Sequence, residues 1–394
     1  MISAPISPVD GSRDTSSRLQ VALGATVLER AMNSNGHLDG IGTYTAELLK
    51  HLGDARIDPH PIACEGFRGT RVSSGVETMP GSFSINLLRS AATGVAFTGS
   101  RNLASRFDVF HATDHHVPKL RNIPVVATVM DPIPLMHPEW TDVNHRALKN
   151  WLFRRSVQWA DHYITISKFV IDDIAHHFRI PAERITPIEL GVNDDFFIML
   201  SEEEKLASLR ELGLMPPFFL FIGTLQPRKN ILRIVEAFKS LPLDIRRACP
   251  LIVAGREGWS SEAERAALAT LQEDGTGRWL NYVTPLQKKA LLQSARALVF
   301  PSLYEGFGLP VLEAFASGLP VITSNTTSLP EVAGDAALLV SPLDASEIAA
   351  AMRRLLEDDE LWRTLQARGA ARARAFSWEQ TANRTAELYR RIAS

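Results

Sequence analysis

Short apolar runs of four to seven residues alternate with longer amphipathic ones along the whole chain. That alternation leaves few folds open, because strand–helix repeats bury themselves best as a parallel sheet covered on both faces. In the first half the strand candidates are Leu19–Leu23, Phe107–His111, Pro124–Val129, His162–Ser167 and Arg184–Leu190. Helical patterns fall at Thr43–Leu52, Arg146–Ala160 and Phe169–Phe178. In the second half strands are expected at Phe218–Gly223, Leu251–Ala254, Trp279–Val283, Ala297–Phe300, Pro320–Ser324 and Ala337–Val340. Helices are expected at Ile231–Leu241, Ser261–Leu271, Gln287–Ala295, Pro310–Gly318 and Ala345–Glu357. The fold class predicted is therefore α/β, with two doubly wound parallel-sheet domains.

A chain of 394 residues is long enough for two such domains. The expected division is a disordered tail over residues 1–18, a first domain over 19–200 and a second over 201–376. A last amphipathic helix covers residues 377–394. The Ser-, Pro- and Asp-rich start has no continuous apolar segment and does not read as a signal peptide. No run of about eighteen apolar residues suggests a membrane span. A net charge of −2 without a basic arm argues against nucleic acid as a partner. Two cysteines, Cys64 and Cys249, far apart in sequence, fit a reducing compartment and a cytoplasmic location.

The stretch Phe300–Pro320, FPSLYEGFGLPVLEAFASGLP, reads as a strand end, a glycine-broken loop and a helix. Gly306 and Gly308 let the backbone bend and a ligand approach closely. Pro310 suits a first helical turn, and Gly318 suits a C-cap. A helix start at that point presents unpaired N–H groups and a positive dipole end, which favours an anion. Glu305 falls in the loop and Glu313 in the helix. Upstream, Gly223 and Thr224 follow a strand, and Arg228 and Lys229 precede a helix. A guanidinium and an ammonium there supply a bidentate donor and a point charge for a phosphate.

Glu305, seven residues and Glu313 resemble the Glu-x7-Glu signature of the retaining glycosyl transferases group 1 family, whose fold is GT-B. Phe221–Thr224 with Pro227–Asn230 resembles that family's donor diphosphate loop, and Ser328–Ala336 resembles its next block. The likeness covers the C-terminal half strongly and the N-terminal half more loosely. It implies two Rossmann-like domains facing a deep cleft, with the C-terminal helix crossing back to the first. It implies a nucleotide-sugar donor held by Gly223, Thr224, Arg228, Lys229, Val283, Glu305, Gly306, Phe307, Gly308, Leu309 and Glu313. Glu313 would accept from the ribose hydroxyls, and Glu305 would hold the transferred sugar and the developing oxocarbenium ion. Arg228 and Lys229 would stabilise the leaving diphosphate, so no cofactor and no metal are expected. Transfer would be by front-face attack, with a donor phosphate oxygen helping to deprotonate the acceptor. The segment Asn33–Tyr44, with Gly36, Gly40 and Gly42, resembles the family's glycine loop near the donor phosphates and the acceptor.

One departure stands out. Many relatives carry His-Asp after the strand matching Val125–Val129, whereas this chain has Met130-Asp131. A thioether replaces neither the acid–base nor the donor role of an imidazole. Asp131 stays in the catalytic set, and either His111, His115 or His116 supplies the missing contact or the reaction does without it; for His115 and His116 a plain loop-packing role is favoured. The run HATDHH has no zinc-type Cys/His spacing around it, so a metal role is not expected. Ser82–Arg106 carries Arg89, Arg101 and Arg106 without an acid. It is either a basic surface touching the inner membrane, as in enzymes this chain resembles, or a helix packed on the sheet. Three arginines fall short of a polybasic patch, which favours the second.

The expected activity is retaining transfer of a hexose, with mannose from GDP-mannose favoured. The acceptor is a polysaccharide or a lipid-linked glycan. The donor expectation rests on Asp131–Leu135 and Gly40–Gly42, which resemble mannosyl transferases. The alternative is a subunit that binds a nucleotide sugar without transferring it, motivated by Met130. A GT-B epimerase fits the two acids less well.

Overall fold

A computed structural model describes residues 18–33, 38–64, 76–115, 117–140 and 145–394. The predicted tail, apart from Arg18, lies outside the described residues, as do Gly36 and His116.

Among the described residues the first sheet has seven strands. These are β1 Leu19–Gly24, β2 Ile57–Cys64, β3 Glu77–Met79, β4 Val109–Ala112, β5 Val125–Thr128, β6 His162–Thr165 and β7 Ile185–Pro187, in the order β3-β2-β1-β4-β5-β6-β7. The second has six, β8 Phe219–Ile222, β9 Leu251–Ala254, β10 Gly277–Leu280, β11 Ala297–Phe300, β12 Val321–Ser324 and β13 Leu338–Val340, in the order β10-β9-β8-β11-β12-β13. Every pairing is parallel. β8, β9, β11 and β12 are buried at every position, which is why they read as unbroken apolar runs. The strand order reverses between β1 and β4, and again between β8 and β11. Ligands of open α/β sheets bind outside the carboxyl ends at such switch points.

β2 escaped the sequence pattern because Pro59 and Pro61 interrupt it. They are tolerated because β3 pairs only with Ile62–Cys64, leaving that stretch of β2 as an open edge. The helix Asp359–Ala373 was missed as well. It buries Leu365, Gly369 and Ala373, and a Cβ on its Gly369 would come within 2.6 Å of the Phe315 ring.

The chain returns to its beginning through the helix Trp378–Ala393. Its Tyr389 is fully buried against the first sheet, its Thr381 hydroxyl donates to the Glu189 carbonyl at 2.8 Å, and Arg384 pairs with the Glu189 carboxylate at 2.9 Å. The crossing is tight: a Cβ on Gly191 would lie 2.2 Å from the Trp378 nitrogen.

Candidate active site

The site is assembled where β8 and β11 lie side by side. After β8 the chain turns through a single 3-10 segment, Pro227–Lys229, and Asn230 takes a left-handed conformation. The Asn230 amide donates to the carbonyls of Pro301, at 2.9 Å, and Pro342, at 2.7 Å. The Leu303 N–H donates to the Arg228 carbonyl at 2.8 Å. The basic turn and the loop after β11 are thereby fixed to each other, 75 residues apart in sequence at Arg228 and Leu303 (303 − 228).

That fixation brings together three of the four predicted catalytic side chains. Lys229 Nζ lies 2.6 Å from Glu305 Oε1, and Arg228 Nη1 lies 3.0 Å from Glu305 Oε2. Arg228 also donates to the Tyr304 carbonyl and to the Gln226 side chain. Glu305 and Lys229 are each 7% exposed. Burial alone would push the Glu305 carboxyl up, but Lys229 and Arg228 outweigh it and hold it at about 2. Burial draws the Lys229 ammonium down to about 8, against the pull of Glu305. At neutral pH the cluster is one carboxylate shared by two cations.

The fourth, Asp131, faces this cluster from the first domain. A Cβ on Gly306 would lie 2.8 Å from the Met130 carbonyl and 3.5 Å from the Asp131 Cβ. Asp131 helps keep Arg228 and Lys229 charged, though less than Glu305 does. The loops after β5 and β11 therefore meet, and the two sheets turn their carboxyl edges toward one crevice. Gly306 permits this contact by lacking a side chain. Gly308 has φ 124° and stands before the helix Leu309–Ala316, a conformation that favours glycine. The Ser328 hydroxyl lies 2.8 Å from the carbonyls of both Glu305 and Phe307, securing the loop from behind.

Glu313 is held elsewhere. Its Oε2 pairs with Lys288 Nζ at 2.6 Å, and the same ammonium sits 5.2 Å from the centre of the Phe196 ring. Val283 and Leu309 are half-buried and packed on the core. Thr224 lies beside Gly258, whose added Cβ would meet its methyl group at 3.1 Å.

Two expectations from the first half need correction, those for His111 and for the glycines Gly40 and Gly42. His111 cannot supply an imidazole to the crevice. It is fully buried, with Nδ1 2.5 Å from the Tyr389 hydroxyl and Nε2 2.7 Å from the Thr128 hydroxyl. Burial drives its pKa down to about 3, so it stays neutral. His115 sets its ring edge-on to Phe153 at 5.6 Å, in keeping with the packing role favoured for it. Gly40 and Gly42 do not form a loop before a helix starting at Thr43. The helix is Gly40–His51, with Asp39 as N-cap accepting from the Gly42 N–H at 2.8 Å. Glycines inside a first turn look like a loop in sequence, because the capping aspartate is the only start signal.

Sequence reasoning also missed the contacts that close the crevice. The Glu331 carboxylate accepts from the N–H groups of Lys168, at 3.0 Å, and Phe169, at 3.2 Å. It thus caps the helix Val170–Phe178 of the opposite domain, which has no side-chain cap of its own. The Tyr304 hydroxyl donates to Asp173 Oδ2 at 2.6 Å. Trp259 Nε1 donates to the Trp140 carbonyl at 2.9 Å. The one available signal was that missing cap. Among the described residues no group of three or more His, Cys, Asp or Glu side chains is placed to hold a metal ion.

Comparison with known proteins bears on this geometry. Residues 204–372 match the family described as Glycosyl transferases group 1, and residues 38–196 match Glycosyltransferase Family 4. O-antigen chain mannosyltransferase B of Escherichia coli is 36% identical over 284 residues, 72% of this chain and 74% of its own length. Serotype-specific mannosyltransferase WbdA of the same organism is 32% identical over 240 residues, which are 59% of this chain but only 29% of that protein. Among solved structures, WaaG, a glycosyltransferase involved in lipopolysaccharide biosynthesis, superimposes with a TM-score of 0.68 at 17% identity, over 93% of this chain and 99% of WaaG.

Proposed function

The chain belongs to the glycosyl transferases group 1 family and has its GT-B fold, and we propose that it is a retaining, metal-independent hexosyltransferase. In this reading it moves mannose from GDP-mannose onto a polysaccharide or lipid-linked glycan. The observation that carries it is Glu305 shared between Arg228 and Lys229 at the switch point of the second sheet.

The chemistry follows from what a donor does to that cluster. Without a ligand, Glu305 neutralises two cations that would otherwise be buried and unpaired. An arriving diphosphate offers those cations a stronger anion, beside the start of the helix Leu309–Ala316. Glu305 is then released toward the hexose hydroxyls and the positive charge that develops on the sugar. As the glycosidic bond breaks, electrons pass to the phosphate oxygen, and the two cations stabilise the charge arriving there. The acceptor oxygen bonds to the anomeric carbon on the same face, and its proton goes to a donor phosphate oxygen. Glu313 accepts from the ribose. No imidazole is needed near the sugar, consistent with Met130 in that place.

The mannose part draws on the names of the relatives, and peripheral contact with the membrane draws on the surface. Ile85, Leu88 and Val95 are 59%, 42% and 50% exposed near Arg89, a face suited to peripheral contact with lipid. Among the described residues no helix is long and apolar enough to cross a membrane.

Turnover of GDP-, UDP- and TDP-sugars, with and without a mannose oligosaccharide, tests the reading. Release of GDP with retention at the new linkage is expected. No turnover of any GDP-sugar removes the donor assignment. No product from any donor–acceptor pair, with nucleotide still bound, leaves the non-catalytic subunit suggested by Met130.

A further inference from the structure

The segment Met130–Trp140 and the turn after β9 meet at the mouth of the crevice, where a tryptophan side chain of one donates to the backbone of a tryptophan of the other. Trp259 comes from the second domain and Trp140 from the first. His137 stacks on Trp140 with ring centres 3.8 Å apart and planes 19° apart. The same His137 ring is 6.3 Å from Tyr304, the residue before Glu305. The group therefore borders the catalytic loop and belongs to neither core.

Trp259 is 53% exposed, yet its one polar atom is satisfied by the Trp140 carbonyl. What it shows to solvent is carbon. That bare indole is tied to the backbone of Trp140, whose own ring carries the stacked His137 imidazole, so it is not an isolated surface aromatic. Glu139, 3.0 Å from His137 Nδ1, supplies a polar rim. An apolar platform edged by an acid and an imidazole suits a ligand with C–H faces and hydroxyl edges, which describes a pyranose.

We propose that Trp259, Trp140, His137 and Glu139 form an acceptor subsite that holds a sugar of the growing glycan behind the one being extended. Because each domain supplies one indole, the platform is whole only when the crevice is closed. A short acceptor reaches only the reacting centre, and a longer one also lies on the platform. The subsite favours a chain over a free sugar and makes it wait for closure. The inference rests on the reading of the chain as a glycan-extending transferase.

The test uses the full chain, a donor that it turns over, and mannose acceptors from one to four sugars long. Trp259→Ala is expected to raise KM for the longer acceptors about tenfold while leaving KM for the monosaccharide and for the donor within about twofold. Trp259→Phe, which keeps the ring and loses the N–H, is expected to retain most of the preference for long acceptors. A uniform rise at every acceptor length, or none, overturns the subsite. A loss as large in Trp259→Phe as in Trp259→Ala assigns the effect to the N–H bond and also overturns it. If wild type transfers to no acceptor while melting cooperatively, it is the transferase reading that fails.

Discussion

Lys229 Nζ sits 2.6 Å from Glu305 Oε1, and Arg228 occupies the other carboxylate oxygen at 3.0 Å. This is a buried triad, so removing its only acid does more than erase a contact. Glu305→Ala strands two cations in a poorly solvated site, and removing one partner of a buried pair costs about 3–5 kcal/mol. Glu305→Gln keeps the shape and accepts through one oxygen, so its melting midpoint should fall less. Transfer is expected to drop by about a hundredfold or more in both. Thermal melts beside initial rates separate the two effects. Near-wild-type transfer by Glu305→Gln would show that the carboxylate is structural.

The pairing of Lys288 with Glu313 gives a second expectation. In the proposed reading, with Oε2 occupied by the ammonium, Oε1 would be left for the ribose and the carboxylate aimed before the donor arrives. Lys288→Met keeps most of the length of the side chain and removes its charge. Donor KM is expected to rise about five- to tenfold with kcat nearly unchanged, the signature of lost uniform binding. An improved donor KM would mean that Lys288 competes with the nucleotide for Glu313.

Legibility in the sequence differed between the halves for physical reasons. The second sheet is buried on both faces, so its strands appear as apolar runs, and Leu251–Ala254 and Ala297–Phe300 were read to the residue. The loop after β11 was readable because Gly306, Gly308 and the basic turn lie within short segments of known chemistry. β2 was hidden by Pro59 and Pro61, and the helix Gly40–His51 by glycines in its first turn. The partners of His111, Glu313 and Glu331 were not legible at all. Each contact joins residues distant in sequence, and only the packed structure decides which ones meet. His111 is the clearest case: Tyr389 lies 278 residues away and seals it from the crevice.

Gly306→Ala tests whether the two loops must touch. The new methyl would meet the Met130 carbonyl at 2.8 Å, closer than real Cβ atoms approach backbone. The clash falls between domains, so it is relieved by opening the crevice and not by unfolding. The expected result is a melting midpoint within a few degrees of wild type and a fall in kcat of about ten- to a hundredfold. Solution scattering should show a more open particle. Unchanged kcat would mean that transfer does not need the closed contact.

His111 predicts a pH effect on stability and none on the chemical step. Burial holds its folded pKa at about 3, below the ordinary value of 6.5. Between those values the unfolded chain binds the extra proton, so stability is complete above about pH 6.5 and is lost as pH falls toward 3. The loss should reach roughly 2 kcal/mol at pH 5. His111→Gln keeps polar atoms near the hydroxyls of Tyr389 and Thr128 but does not titrate. It should be less stable than wild type at pH 7.5, because buried hydroxyls lose well-placed partners. The gap should narrow by pH 5. Denaturant melts of both proteins at the two pH values measure it. A gap of the same size at both would show that His111 does not titrate on unfolding as its burial requires.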